Sequence, residues 1–295
     1  MKSILCVDRP INKKSEDFLN RKDFSNTITN AIVEYNDSNQ ESLTIGLYGK
    51  WGSGKTSIVN MVLEDITKEE DIIVFQFEPW LYSDTQQLLS QFFKDFAKVI
   101  NKNDYGSEAE EIGKSLEAYA AYFEALSLIP EPTVSLLGNL ISKIFSKVGI
   151  ASSKWGKSKS KNLSAIKYSI EEHLKKLNKK IVIVIDDIDR LNNTEIRQTF
   201  QLIKSLGNFP NTIYIASMDR EVVIAALSEV QKGDGSEYLE KIIHVPLNMP
   251  YISNDKVNEF LFSKLNEILL NVKDKDFDEN YLGNIYHSGF KYFWV

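Results

Sequence analysis

Cysteine is nearly absent from this chain: Cys6 stands alone, which excludes an internal disulfide and fits a reducing compartment. Long apolar runs are missing too. No stretch reaches the roughly 18 uncharged apolar residues that a membrane-spanning helix needs. Met1-Lys-Ser-Ile-Leu-Cys-Val7 is too short an apolar start for a signal peptide, so a cytoplasmic location is expected. Nor is there an excess of positive charge. A formal net charge of −6 and a pI near 5.3 argue against a protein that binds nucleic acid over its whole surface. What remains is an ordinary globular composition, 43% hydrophobic and 26% charged, over 295 residues, a length that fits one or two domains.

The stretch Ile45-Gly-Leu-Tyr-Gly-Lys-Trp-Gly-Ser-Gly-Lys-Thr-Ser-Ile-Val59 reads as an apolar strand, a glycine-rich loop and a helix. Within it, Gly49-x-x-x-x-Gly54-Lys55-Thr56 is the Walker A pattern. Gly49, Gly52 and Gly54 let successive backbone N–H groups turn inward into an anion-binding nest. Lys55 is expected to set a cation against the β- and γ-phosphates, and the Thr56 hydroxyl to ligate the Mg²⁺ that bridges them. Ser53 and Ser57 complete the residues expected to line the nucleotide. The helix beginning near Lys55 aims its positive end at the same phosphates.

Ile181 to Ile185 are five consecutive β-branched residues, a buried strand that ends on Asp186-Asp-Ile-Asp-Arg190. This is a Walker B pattern at the strand end where open α/β sheets present their ligands. Asp186 is expected to hold Mg²⁺ through water and Asp187 to orient the attacking water, with Asp189 a second candidate that spacing does not separate from it. A strand over Thr212–Ser217 leads into Ser217-Met-Asp-Arg220, where Ser217 or Asp219 either reads the γ-phosphate or caps the next helix. Arg190 and Arg220 lie beside this apparatus, as transition-state cations or as structural ion-pair residues. Asn101-Lys-Asn-Asp104 matches a guanine-reading pattern, but it precedes the Walker B strand and follows a helix. ATP is therefore the expected nucleotide.

Strands at 43–48, 72–77, 181–185, 212–217 and near 242–245 alternate with helices over about 55–66, 86–100, 163–177, 194–206 and 220–227. The expected class is α/β, a three-layer α/β/α sandwich with a mainly parallel sheet. An extra strand and its helix intervene between the Walker motifs, the arrangement of the additional-strand P-loop class, whose sheet order is 5-1-4-3-2. An N-terminal helix places Phe24, Ile28, Ile32 and Val33 on one face. The core is expected over 1–250, followed by a helical segment over 251–295 with a stripe of Val257, Phe260, Leu261, Leu265, Ile268 and Leu269. Its aromatic end suggests a docked tail or a chain shorter than its natural unit.

Residues 101–163 interrupt the alternation as a helical insertion between the two Walker motifs. One helix runs from Glu108 through Ile112, Leu116, Tyr119, Tyr122, Phe123 and Leu126. A second carries Leu136, Leu137, Leu140, Ile141, Ile144, Phe145 and Val148. No acidic residue occurs from Pro132 to Ile170, while Lys143, Lys147, Lys154, Lys157, Lys159, Lys161 and Lys167 all do, with Trp155 among them. Such a segment either touches an anionic membrane surface or a nucleic-acid backbone, or is a packed hairpin with a solvated loop.

Several motifs in order carry a family resemblance: Asp8-Arg-Pro-Ile11 with Asp17, Leu19, Arg21 and Phe24; Gly49-Lys-Trp-Gly-Ser-Gly-Lys-Thr-Ser57; Phe77-Glu-Pro-Trp80 with Tyr82; Asp186-Asp-Ile-Asp-Arg190; Met218-Asp-Arg220; and Tyr238-Leu-Glu-Lys-Ile-Ile243. Over about 8–250 the chain resembles the KAP P-loop NTPases. The resemblance implies an ATP-dependent protein related to signalling and defence NTPases, of a group often membrane-associated and frequently engaged in bacterial exclusion of phage. Many members insert paired transmembrane helices between the Walker motifs. The insertion here is too charged for that, which leaves peripheral attachment at the inner face of the membrane as the expected form of any membrane contact. The activity expected is an ATP-hydrolysing switch or motor coupled to self-association or partner binding. The alternative is a scaffold that binds ATP, hydrolyses it little and recruits partners at a membrane surface or nucleic acid.

Overall fold

The computed structural model describes residues 9–36, 41–82, 85–102, 105–127, 159–231 and 233–269, and beyond them 278, 280, 281, 283 and 284. Elements are numbered over those residues. Five strands, β1 (Leu43–Tyr48), β2 (Ile72–Phe77), β3 (Lys180–Ile185), β4 (Thr212–Met218) and β5 (Val245–Asn248), form one sheet in the order β2-β3-β4-β1-β5. Every pairing is parallel. Counted from β5, this is the 5-1-4-3-2 order expected from the sequence, with β4 between the two Walker strands.

The sheet is parallel because every strand returns through a helical crossover, and its two faces are therefore covered. Successive side chains of a strand point to opposite faces. On one face Val182, Val184, Ile213, Ile215, Ile45 and Leu47 meet helices α1 (Lys22–Glu34) and α2 (Lys55–Ile66) through Ile28, Ile32, Ile58, Val62 and Ile66. On the other, Ile181, Ile183, Ile185, Phe75 and Phe77 meet α3 (Thr85–Lys102) and α6 (Asn193–Gln201), with α7 (Arg220–Gln231) in the same core. The sandwich is thus three layers deep. Phe92 of α3 is fully buried and meets Phe75 at 5.3 Å, Phe77 at 5.1 Å and Phe93 at 5.1 Å between ring centroids.

The insertion adds helices to that second face. Helix α4 (Ser107–Ser127) packs between α3 and α5 (Lys159–Leu177), burying Ile112, Leu116 and Tyr119. Tyr119 sets its ring 4.5 Å from Phe93. Lys167 of α5 does not belong to a free basic face. Its Nζ pairs with Glu171 at 3.8 Å and lies 6.0 Å over the Phe209 ring, and burial lowers its pKa. The expected second insertion helix, Lys143, Lys147, Lys154, Lys157 and Trp155 lie outside the described residues, as do Asn103 and Asp104 of the guanine-like pattern.

Three sequence expectations shift. The last strand begins at Val245 rather than near Ile242, because Ile242 and Ile243 close the turn after α8 (Gly235–Glu240) and bury their side chains in the core. Apolar character there signals burial, not strand. The helix expected over 194–206 changes at Leu202 into a π-helical turn ending where Gly207 N donates to Leu202 O at 2.7 Å. Val33 faces outward from α1, and Ser25 and Thr29 share its buried face instead.

By packing, the chain divides into one unit of Met1–Asp17 with Arg21–Pro250 and a second of Phe18–Asn20 with Tyr251–Val295. Within the second, α9 (Asn254–Leu269) leaves Val257, Leu261 and Leu265 half-buried, and Phe260 meets Phe18 at 5.3 Å with Lys264 Nζ 4.8 Å over the Phe18 ring.

Candidate functional site

β1 delivers the glycine loop at the carboxyl edge of the sheet. Gly49 N donates to Met218 O at 3.1 Å, so the loop leaves the ladder from a fixed point. The turn then closes with Ser53 N on Lys50 O at 3.1 Å. Gly52 (φ +77°) and Gly54 (φ +87°) occupy the left-handed region that side-chain-bearing residues enter only with strain. Gly54 ends the loop as the N-cap of α2. Lys55 is only 6% exposed, and its Nζ donates to Gly49 O at 2.8 Å and Lys50 O at 3.4 Å, so the cation lies in the curl of its own loop. Thr56 is half-buried on the first turn of α2. Ser53 keeps a buried Oγ with no hydrogen-bond partner, whereas Ser57 Oγ accepts from Ile11 N at 3.3 Å and ties the N-terminal segment to α2. Trp51, at the loop's tip, is 81% exposed.

β3 ends beside it, one strand away, on the carboxylates. Ser217, wholly buried on β4, donates its hydroxyl to Asp186 Oδ1, and Asp187 N donates to the same oxygen at 2.9 Å. Asp187 has φ +57°, left-handed for a non-glycine residue, and its Oδ2 pairs with Arg190 NH2 at 3.0 Å. Burial pushes the Asp187 carboxyl above its usual range and Asp186 adds to this, while Arg190 and Lys55 oppose it. β1 and β3 both run parallel to β4 and flank it, so the glycine loop and the carboxylates lie at the same edge of the sheet.

The alternatives that spacing left open now have different surroundings. Asp189 Oδ1 accepts from Asp219 N at 3.0 Å, and Asp219 Oδ1 accepts from Glu221 N at 3.1 Å at the start of α7. Asp189 and Asp219 thus both serve the β4–α7 turn. Arg220 is held by Ser236 Oγ at 2.9 Å, Glu221 at 3.3 Å and Glu240 at 3.7 Å. Past β2, Pro79–Leu81 form a 3₁₀ turn that exposes Trp80 and Leu81. Tyr82 stacks on Phe77 at 5.8 Å and donates to Asp95 at 2.8 Å; burial, with Asp95, raises its pKa to about 12.

Sequence reasoning missed Arg21 as part of the site. Its side chain donates through NH1 to Ser53 O in the loop and through NH2 to Pro250 O at 3.1 Å. Met249 was missed as well; a Cβ at Gly49 would lie 2.7 Å from its Cγ. Arg21 belongs to the Asp17, Leu19, Arg21 and Phe24 motif of the family resemblance, which assigns it no role at the loop, and Met249 has no local pattern; both reach the loop from distant parts of the chain.

The donor set suits a hard divalent cation. Mg²⁺ takes one or two protein oxygens and fills its octahedron with waters and substrate phosphates, and a Thr hydroxyl with one carboxylate is such a set. Among the described residues no group of three or more His, Cys, Asp or Glu forms a metal cage.

Comparison with known proteins gives one family match and several more distant ones. The family model described as KAP family P-loop domain matches residues 21–293. The phage T7 exclusion protein of Escherichia coli (strain K12) is 26% identical over 238 residues, covering 72% of this chain. The chain accounts for 30% of that protein's length. Among solved structures, the Aeropyrum pernix ORC1 protein in complex with DNA aligns at a TM-score of 0.43 and 11% identity, covering 84% of this chain and 50% of that one. Cdc6p from Pyrobaculum aerophilum aligns at 0.43 and 12%, covering 85% and 51%.

Proposed function

The chain belongs to the KAP family of P-loop proteins, and from that premise we propose that it binds ATP with Mg²⁺ and hydrolyses it, as a switch or motor module in exclusion of phage. The observation that supports this reading is that a buried Lys55 follows β1 and the Asp186–Asp187 pair follows β3, two parallel strands that flank β4 and end at the same edge of the sheet. The loop N–H groups and Lys55 bind the β- and γ-phosphates, and the loop's position at the start of α2 adds the helix dipole. Thr56 and Asp186 hold Mg²⁺, which when bound neutralises charge on the phosphate oxygens. Asp187 orients a water in line with the γ-phosphorus and accepts its proton as the bond to the leaving ADP oxygen breaks. Ser217 keeps Asp186 aimed. The link to phage exclusion rests on the name of the E. coli relative, of which this chain spans less than a third.

No helix among the described residues is long and apolar enough to cross a membrane. Contact with an anionic membrane surface or nucleic acid through 143–167, and self-association, stay proposals for the same assay. That assay is steady-state phosphate release by wild type and Lys55→Ala, with and without DNA, RNA and anionic vesicles. Hydrolysis lost in Lys55→Ala supports the enzyme. Tight ATP binding without turnover under every condition replaces it with a nucleotide-dependent scaffold.

A further inference from the structure

We propose that Arg21 is a positioning residue of the phosphate loop, which holds the Ser53–Gly54 peptide so that the Gly54 N–H points into the anion nest. This rests on the nucleotide-binding reading above and names a residue that the Walker pattern does not contain. A trans peptide is planar, with its C=O and N–H directed to opposite sides, and no cis peptide occurs among the described residues. A group that captures Ser53 O therefore decides where Gly54 N–H points. Arg21 NH1 donates to that oxygen.

The clamp is itself held. Arg21 N donates to Asp17 Oδ2 at 2.7 Å and Lys22 N to the same oxygen at 2.8 Å, fixing the start of α1. The Arg21 side chain then runs inward and leaves the residue 7% exposed. NH2 of the same guanidinium donates to Pro250 O at 3.1 Å, just past the end of β5. One planar fork thus pins the loop to a neighbouring strand exit, a geometry an ammonium cannot reproduce. The fit is close: a Cβ on Gly54 would come within 2.6 Å of NH1. Met249 bears on the other end of the loop at Gly49, and its N donates to Tyr48 O at 2.8 Å. Arg21 Nε is buried without a partner, a cost accepted for a guanidinium placed to serve two carbonyls.

The test is calorimetric titration of wild type, Arg21→Lys and Arg21→Gln with ATP and with tripolyphosphate, alongside thermal unfolding of each ligand-free protein. Arg21→Gln is expected to weaken both ligands by about tenfold or more, the scale of a lost hydrogen bond to a charged group. Arg21→Lys is expected to recover part of the loss, with ligand-free unfolding near that of wild type. Three results overturn the proposal: Arg21→Gln binding both ligands within twofold of wild type; a loss for ATP that spares tripolyphosphate; or a loss that follows a lowered unfolding midpoint with Arg21→Lys no better than Arg21→Gln. Should Arg21→Gln not fold, Arg21→Lys decides: severalfold weaker binding at an unchanged midpoint supports the clamp, and binding within twofold overturns it. A wild type that binds neither ligand removes the nucleotide-binding reading and this inference with it.

Discussion

Ser217 and Asp186 are joined across neighbouring strands: the hydroxyl, wholly buried on β4, donates to the carboxylate at the end of β3, which also accepts from Asp187 N. One serine thereby fixes the rotation of the carboxylate assigned to Mg²⁺. Ser217→Ala is expected to raise the Mg²⁺ concentration needed for hydrolysis by about 10–100-fold, the usual scale for removing a partner that orients a metal ligand. Phosphate release titrated against Mg²⁺ at saturating ATP measures this. An unchanged Mg²⁺ requirement refutes it.

Asp187→Asn is expected to cut turnover by about 10²–10⁴-fold while leaving ATP binding in place, as for loss of a general base. Asp189→Asn should keep turnover within a few-fold and lose stability instead, because its carboxylate serves Asp219 N. Burial and Asp186 raise the Asp187 pKa, and the group acts ionised. Turnover should therefore decline as pH falls at values above the ordinary carboxylate range, and that limb should vanish in the residual rate of Asp187→Asn.

Gly54→Ala and Gly52→Ala separate strain from collision. Both positions have positive φ, costing about 1–3 kcal/mol for a side-chain-bearing residue. Only at Gly54 does a new Cβ also strike the Arg21 guanidinium, while nothing lies within 4 Å at Gly52. ATP affinity should drop far more in Gly54→Ala than in Gly52→Ala, and equal losses by calorimetry would contradict the contact.

Asp65 anchors the N-terminal segment through Lys14, with Lys68 nearby. Burial pushes its carboxyl up, but the bonds to Lys14 and Lys68 outweigh that and hold it below the ordinary value. A depressed folded pKa stabilises above the unfolded value of about 3.9 and is lost as pH falls through the folded one. Asp65→Asn should cost about 1 kcal/mol or less at pH 7. The difference from wild type in urea unfolding should shrink as pH drops below about 4.

Phe92→Ala removes a ring that meets Phe75, Phe77, Phe93 and Phe96 and has no exposed surface. A loss of about 3–5 kcal/mol is expected from the cavity left behind. Urea unfolding monitored by circular dichroism checks it.

The sheet was legible in the sequence because buried parallel strands are written as unbroken β-branched runs, and Ile181–Ile185 has no other reading. β5 was less so: it sits at the edge, carries Pro246 and is mostly exposed, so the buried Ile242 and Ile243 beside it gave the stronger apolar signal. The glycine-rich loop and the Asp186–Asp187 carboxylates are written as local patterns after two strands, and those strands end at the same edge of the sheet. The different surroundings of Asp187 and Asp189 were not legible, because they depend on where Asp219 N lies, in the turn after β4. Arg21 was hidden more deeply: its acceptors are Ser53 and Pro250, reached only after the sheet has closed.

The position of β2 bears on how the chain folds. β3 pairs with β4, and β4 with β1, but β2 ends at Phe77 and its partner β3 starts only at Lys180. Closing a loop of about a hundred residues costs chain entropy before any ladder bond repays it. Helices α3, α4 and α5 lie within that interval, and their contacts with one another can form first and shorten the effective span. Pairing β1 with β4 spans still more of the chain, so joining β2 to β3 across the insertion also shortens that longer closure.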